Sequence, residues 1–282
     1  MLAGAMIVWF TLTGGSLLFV LLDFNNTPVS WVQKLAWGLV IVYTGPVGLF
    51  VYLLACRNPG EGLHDVFTKV LWKQSVNSEM HCIAGDATGI IITAAVLSTF
   101  TFPWGYEIGI EYIGAYITGL FIFQAMMMRS MFASYGEAVK RTIFAETVSM
   151  NMCMVGMIPV MVPLAVAWPE SMVPWHWSFW FRMGIATVAG GLTAYPINHW
   201  LVSRGFKHGC MTIPAKADSP AEHDHKHMDH AAHQHGAMPN MDSPTEHHGH
   251  VMPKPSAGQQ VFWIAATTAA LAASVIVTAI IR

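Results

Sequence analysis

Met80-His81-Cys82-Ile83-Ala84-Gly85-Asp86 places an imidazole, a thiol and a carboxylate within two helical turns. On a helix, His81 and Gly85 share one face, and Cys82 and Asp86 share the adjoining one. Such a group could ligate a soft-to-borderline transition metal, or form a thiolate–imidazolium couple. Ordinary packing of a cysteine near a helix end is the third reading. Glu146, followed by Ser149 and Asn151, lies near the start of another apolar run, and Glu107, Glu111 and Gln124 also lie near or within apolar sequence. An ionised carboxylate is expensive in hydrocarbon, so it should face the bundle interior, an aqueous cavity or a cation. Glu146 is the best placed of these for a ligand or pathway role. Its alternative is an interfacial pairing with Lys140 or Arg141.

A second feature is the histidine tract, with His223, His225, His227, His230, His233, His235, His247, His248 and His250. Neutral imidazoles are ready ligands for zinc, copper, nickel or cobalt. A flexible chain can wrap several around one ion, but it offers no geometry of its own for selecting the metal. A solvated spacer and a pH-sensitive tail are the alternatives. Met150, Met154, Met157 and Met161 recur at helical spacing with Cys153 among them. Thioethers and thiols favour Cu(I), and methionine also fills irregular apolar space.

These residues must be positioned by membrane helices. The chain has 282 residues, of which 54% are hydrophobic and 11% charged, against about 25% charged in soluble domains. A helix of roughly 20 residues crosses the hydrocarbon core while satisfying its own backbone. Seven apolar runs meet that length: Leu2–Leu22, Leu35–Cys56, Ile83–Phe102, Ile108–Met128, Phe144–Trp168, Phe179–Val202 and Val261–Ile281. The expected fold is therefore an all-α, polytopic transmembrane bundle of about seven helices. Pro159, Pro163, Gly190, Gly191 and Pro196 should kink the fifth and sixth runs or line a cavity. The segment 60–78 has apolar spacing suited to a helix on the membrane surface or to a plain connecting helix.

The first run has neither a preceding basic residue nor a small-residue cleavage pattern, so it is expected to be retained. The four cysteines lack a framework spacing, so disulfides are not expected. Arg57, Lys69, Lys73, Arg129, Lys140, Arg141, Arg204 and Lys207 collect on alternate connections. The positive-inside rule makes that side cytoplasmic. The expectation is a multi-pass protein of the cell inner membrane, with N-terminus and histidine-rich linker cytoplasmic and C-terminus outside.

Three passages carry a family resemblance. The first is His81-Cys82-Ile83-Ala84-Gly85-Asp86-Ala87-Thr88-Gly89. The second is Arg129-Ser130 with Ala138, Arg141 and Ala145-Glu146-Thr147-Val148-Ser149. The third is Ala194-Tyr195-Pro196-Ile197-Asn198-His199-Trp200-Leu201 followed by Arg204-Gly205-Phe206-Lys207-His208. Together they resemble an uncharacterised bacterial and archaeal membrane family, domain of unknown function 4396. Asp86 stands where that family often has a second cysteine. The resemblance implies a four-helix membrane core without an assigned activity, and adds weight to His81, Cys82, Glu146, Asn198 and His208, with His199 beside them.

The chain then divides into an N-terminal two-helix segment with its connection (1–69), the four-helix core (70–211), a histidine-rich linker (212–258) and a C-terminal helix (259–282). The linker is too poor in large apolar residues to fold alone. The leading expectation is a protein that binds, senses or transports a transition metal ion, with copper as candidate. In it the linker captures the ion, His81 and Cys82 with His208 form a cytoplasmic mouth, and Asp86 is a further ligand candidate. Glu146, Met150, Cys153, Met154, Met157 and Met161 line a path beyond, with Asn198 and His199 in support. Its partners are the lipid bilayer and metal-handling proteins. A membrane redox or cofactor-binding protein and a non-catalytic assembly subunit are the alternatives. His176 and His199, at opposite ends of the sixth run, cannot share an ion. No HExxH, nucleophile elbow, P-loop or dinucleotide fingerprint is present, and no broad basic face suits nucleic acid. The sequence leaves oligomeric state and catalysis open.

Overall fold

The computed structural model describes residues 2–100, 105–209 and 253–281. Its helices are Leu2–Asp23 (α1), Trp31–Thr44 (α2), Pro46–Ala55 (α3), His64–Thr68 (α4), Leu71–Leu97 (α5) and Tyr106–Ile117 (α6). A π-helical stretch, Thr118–Gln124, leads into Ala125–Met128 (α7). Tyr135–Ala167 (α8), Trp177–Ser203 (α9) and Ala257–Ile281 (α10) follow. The histidines at 223–250 lie outside the described residues.

Five stretches are long and apolar enough to cross a membrane: Ala3–Asp23, Leu71–Leu97, Tyr106–Met128, Tyr135–Ala167 and Ala257–Ile281. Large apolar side chains such as Ile7, Leu18, Phe50, Leu192 and Ile280 are left exposed, as suits a surface that meets lipid. The protein is thus an all-α, multi-pass membrane bundle. Two of the seven expected runs fall outside the five. The second breaks at Gly45, whose φ of 58° begins a new helix with Pro46 in its first turn. The sixth forms the 27-residue α9, which carries Arg182, Asn198 and His199 and is less apolar.

Two helices start earlier than their apolar runs suggest. The segment at 71–78 is no separate surface helix but the opening of α5, and α8 begins at Tyr135 rather than near Phe144. Ser134 caps α8 by accepting from the Glu137 amide. Cys82 and Glu146 each lie 11 residues past the first residue of their helix, roughly 16 Å along it at about 1.5 Å per residue. The motif therefore sits well inside the bundle and not at its rim.

Close packing comes from small residues. A Cβ on Gly85 would stand 2.5 Å from the Gly119 Cα, and one on Gly89 would stand 2.5 Å from the Ala115 Cα. These glycines, four apart on α5, let its backbone touch α6 and the π stretch. Gly156 and Gly190 do the same where α8 crosses α9. Pro159 leaves the Val155 carbonyl without its helical donor, and the Ser274 hydroxyl of α10 donates to it at 3.1 Å. Asn151 donates to Thr267 and Thr268 of α10 at 3.1 and 3.2 Å. α8 therefore remains one helix despite its prolines.

Candidate functional site

Glu79, Cys82 and Asp86 lie on one face of α5, and Glu146, Ser149 and Cys153 on the facing side of α8. Asn198 comes from α9. The chain completes the site beyond α9. Gly205, at φ 70°, follows the C-cap Arg204. Its amide bonds the Val202 carbonyl at 3.0 Å and the Phe206 amide bonds the Leu201 carbonyl at 2.9 Å. This paired pattern reverses the chain at a helix end. Phe206 packs against the cluster that contains Leu201, and Lys207 returns into the bundle.

Cys82 and Lys207 are 1% exposed, and Asp86 and Glu146 are 0% exposed. The Lys207 ammonium donates to Cys82 Sγ at 2.7 Å and to Asn198 Oδ1 at 2.8 Å. Ser149 donates to the same Asn198 oxygen at 3.0 Å, and the Asn198 amide is held by the Ala194 carbonyl at 3.1 Å. The Cys82 thiol in turn lies 3.0 Å from Glu146 Oε2. Glu146 Oε1 and both Asp86 oxygens have no hydrogen-bond partner among the described residues. Gly119 lies directly over this pair, since a Cβ there would collide with Glu146 Oε1 and stand 2.9 Å from Asp86 Oδ1. A π-helical turn often marks a functional site, and here it presents a glycine to two carboxyl groups.

Burial lowers the Lys207 pKa, but the sulfur of Cys82 and the carboxylates of Glu146 and Asp86 outweigh it, leaving it above the ordinary lysine value. The ammonium is the charge around which the cluster is organised. One ammonium neutralises one anion, whereas Cys82, Asp86 and Glu146 offer three acidic groups. A balanced cluster in a medium that cannot solvate charge therefore retains two protons among them.

His81 points elsewhere. Its Nε2 meets Oε1 of Gln33, while Gln33 donates to Asn77 Oδ1 at 2.9 Å and so does the Trp37 indole at 3.1 Å. Asn77 donates to the carbonyls of Ala55 and Lys73 at 2.8 and 2.9 Å. Since the Gln33 oxygen accepts, His81 carries its proton on Nε2. This amide–imidazole network ties α2 and α3 to α5.

The metal expectation is corrected here. Among the described residues no group of three or more His, Cys, Asp or Glu side chains could hold a metal ion. His81 and Cys82 are consecutive on a helix, so their side chains diverge by about 100°, one toward Gln33 and the other toward Lys207. Cys82, Asp86 and Glu146 do assemble, but around the Lys207 ammonium, which takes the role the sequence reading gave to a metal cation. Glu146 does not pair with Arg141, which instead lies 3.7 Å from Glu137. His208 lies half-buried beyond Lys207, and it completes no metal-holding group. Met150, Cys153, Met154 and Met157 are buried in an apolar cluster with Met161 packed against it, and Cys153 points at Met157 Sδ at 3.6 Å. Their contacts are those of an apolar core between α5, α6, α8 and α9. His199 Nδ1 meets Ser75 Oγ at 3.2 Å, so it fastens α9 to α5. Nothing among the described residues points specifically to a redox centre, a metal-handling partner or an assembly role.

The sequence reading missed Lys207 and Glu79. The 79–82–86 spacing was a usable signal for Glu79, which occupies the same helix face as Cys82 and Asp86. Lys207 had a weaker one: a glycine placed to cap α9, two residues before it.

The fold and site define a multi-pass membrane bundle with a buried polar centre. Residues 71–207, just under half of the chain, match the family described as "Domain of unknown function (DUF4396)", so that domain is present and contains every member of the cluster. No curated protein and no solved structure matches the chain.

Proposed function

We propose that the protein conducts protons through its bundle, with Asp86 and Glu146 as the proton-holding pair. One observation carries this reading. Two fully buried carboxyl groups on neighbouring helices have three oxygens that accept no hydrogen bond among the described residues, and one ammonium, bonded to Cys82 and Asn198, acts on both through space. Ionisable groups at such depth mark ion and proton pathways more often than structural props. A pair that cannot ionise fully can pass a proton while the net charge of the cluster changes by one. Lys207 sets that balance, and Cys82 links the ammonium to Glu146.

In this reading α2–α3 and α9 complete a seven-crossing bundle. The basic connections at 57–73, 129–141 and 204 face the cytoplasm, as the positive-inside rule requires. The Lys207 end is then the cytoplasmic mouth, in the inner membrane.

The test is proton movement into vesicles that contain the purified protein and a trapped pH-sensitive dye. After a pH jump, wild-type vesicles should equilibrate faster than protein-free vesicles, and Glu146→Gln and Asp86→Asn should remove the difference. Equal rates for wild type and Glu146→Gln, or for wild type and empty vesicles, overturn the reading.

A further inference from the structure

A cavity of about 210 Å³ lies between α2, α3, α5 and α9, apart from the Lys207 cluster. It opens where α2 breaks into α3, with Thr44 and Gly48 on one wall and Gly191 and Tyr195 on the other. The lining is apolar apart from a few polar atoms, and Glu79 is the carboxylate that enters it. Glu79 is 2% exposed and has no hydrogen bond or ion pair among the described residues. The Lys207 ammonium, which acts on it through space, is already committed to Cys82 and Asn198. A carboxylate in such surroundings calls for a counter-charge or a proton.

We infer that this cavity binds a small amphiphilic amine, with an apolar body in the pocket and its ammonium against Glu79. The size limits the body to about one ring or a short alkyl segment, because a void of roughly 150 Å³ already accepts benzene. Drug-sized ligands need about 300 Å³ or more. Access is from the bilayer side, where Val47 and Leu192 line the rim and are 41% and 74% exposed. Gly191 keeps the inner wall open: its Cβ position is 3.5 Å from Glu79 Oε1 and 3.1 Å from Ile83 Cδ1. As a binding site the cavity stands on its own. As a ligand site that acts on proton movement it rests on the reading above.

The test uses the full chain in lipid nanodiscs and phenethylamine as the probe, with ethylbenzene as its uncharged counterpart, read by equilibrium dialysis. Wild type should bind phenethylamine at least tenfold more tightly than ethylbenzene. Glu79→Gln should remove that preference, and Gly191→Leu should abolish binding of both. Glu146→Gln, which lies outside the cavity, should bind the probe as wild type does even if it moves no protons. Loss of proton movement with intact binding therefore separates the two proposals. Equal affinity of wild type for the two probes, binding of neither, or unchanged phenethylamine binding in Glu79→Gln overturns the inference. The comparison of the two probes on wild type needs no variant to fold.

Discussion

Replacing Lys207 by Met removes the only ammonium bonded to the buried cluster among the described residues and leaves the other members in place. Lys207 bonds Cys82 and Asn198 at 2.7 and 2.8 Å and is 1% exposed. Stranding a buried charge by deleting its partner costs about 3–5 kcal/mol. The variant has an escape, because the stranded anion can take a proton. Holding a proton on a carboxyl of ordinary pKa near 4.3 costs about 4 kcal/mol at pH 7, at about 1.4 kcal/mol per pH unit. The expected loss is therefore about 4 kcal/mol at pH 7 and about 1 kcal/mol at pH 5. The sign follows from proton counting. The acids of the folded variant hold one more proton than those of folded wild type, while the unfolded acids are equal and the Lys207 proton is bound in both states of wild type, so the variant's stability falls more steeply as pH rises. In wild type the contribution of Lys207 itself behaves differently. Its pKa is raised in the folded state, so that contribution is fully present below about pH 10.5 and is lost only as pH rises through the folded value. Unfolding in mixed detergent, followed by circular dichroism from pH 5 to pH 8, reads both quantities. Lys207→Met/Glu146→Gln should recover part of the loss at pH 7, since one acid leaves with the base. A Lys207→Met protein as stable as wild type across this range, with the same pH slope, refutes the claim that the ammonium balances the cluster.

Gly119→Ala should place a methyl group against Glu146 Oε1 and Asp86 Oδ1, costing about 1–3 kcal/mol from overpacking; a variant within 0.5 kcal/mol of wild type, roughly the scatter of surface substitutions, in the same unfolding assay would contradict that close approach. His64 lies outside the membrane spans, with Nε2 2.9 Å from the Cys56 carbonyl. Burial lowers its pKa from 6.5 despite that bond and the nearby Asp65. The folded ring stays neutral while the unfolded chain gains a proton, so stability falls as pH drops below about 6.5. His64→Gln should reduce the difference in melting temperature between pH 8 and pH 5, and an unchanged difference would exclude this source of acid sensitivity.

Much of the architecture was legible in the chain because lipid imposes a simple length and polarity rule. Five of the apolar runs became helices able to cross the membrane. The rule failed at boundaries. Gln74, Asn77, Glu79 and His81 made the start of α5 look too polar for a bundle, although Asn77 is satisfied by Gln33, Trp37 and backbone carbonyls and His81 Nε2 meets Gln33. Likewise the polar turns at 135–143 hid the first part of α8.

Residue type alone marked buried carboxylates such as Glu146 as costly, and helix periodicity placed Cys82 and Asp86 on one face of a helix. Those properties are local, and the sequence determined them. What it could not determine was the partner. Lys207 lies 125 positions from Cys82, and by composition it belonged with the basic surface connections. The reversal at Gly205 and the packing of Phe206 beside Leu201 bring it inside. An ammonium and a metal ion satisfy the same local demand for positive charge, so the acidic residues suggested either. Only the tertiary structure decided between them, because which cation lies within bonding distance depends on contacts between helices far apart in the chain.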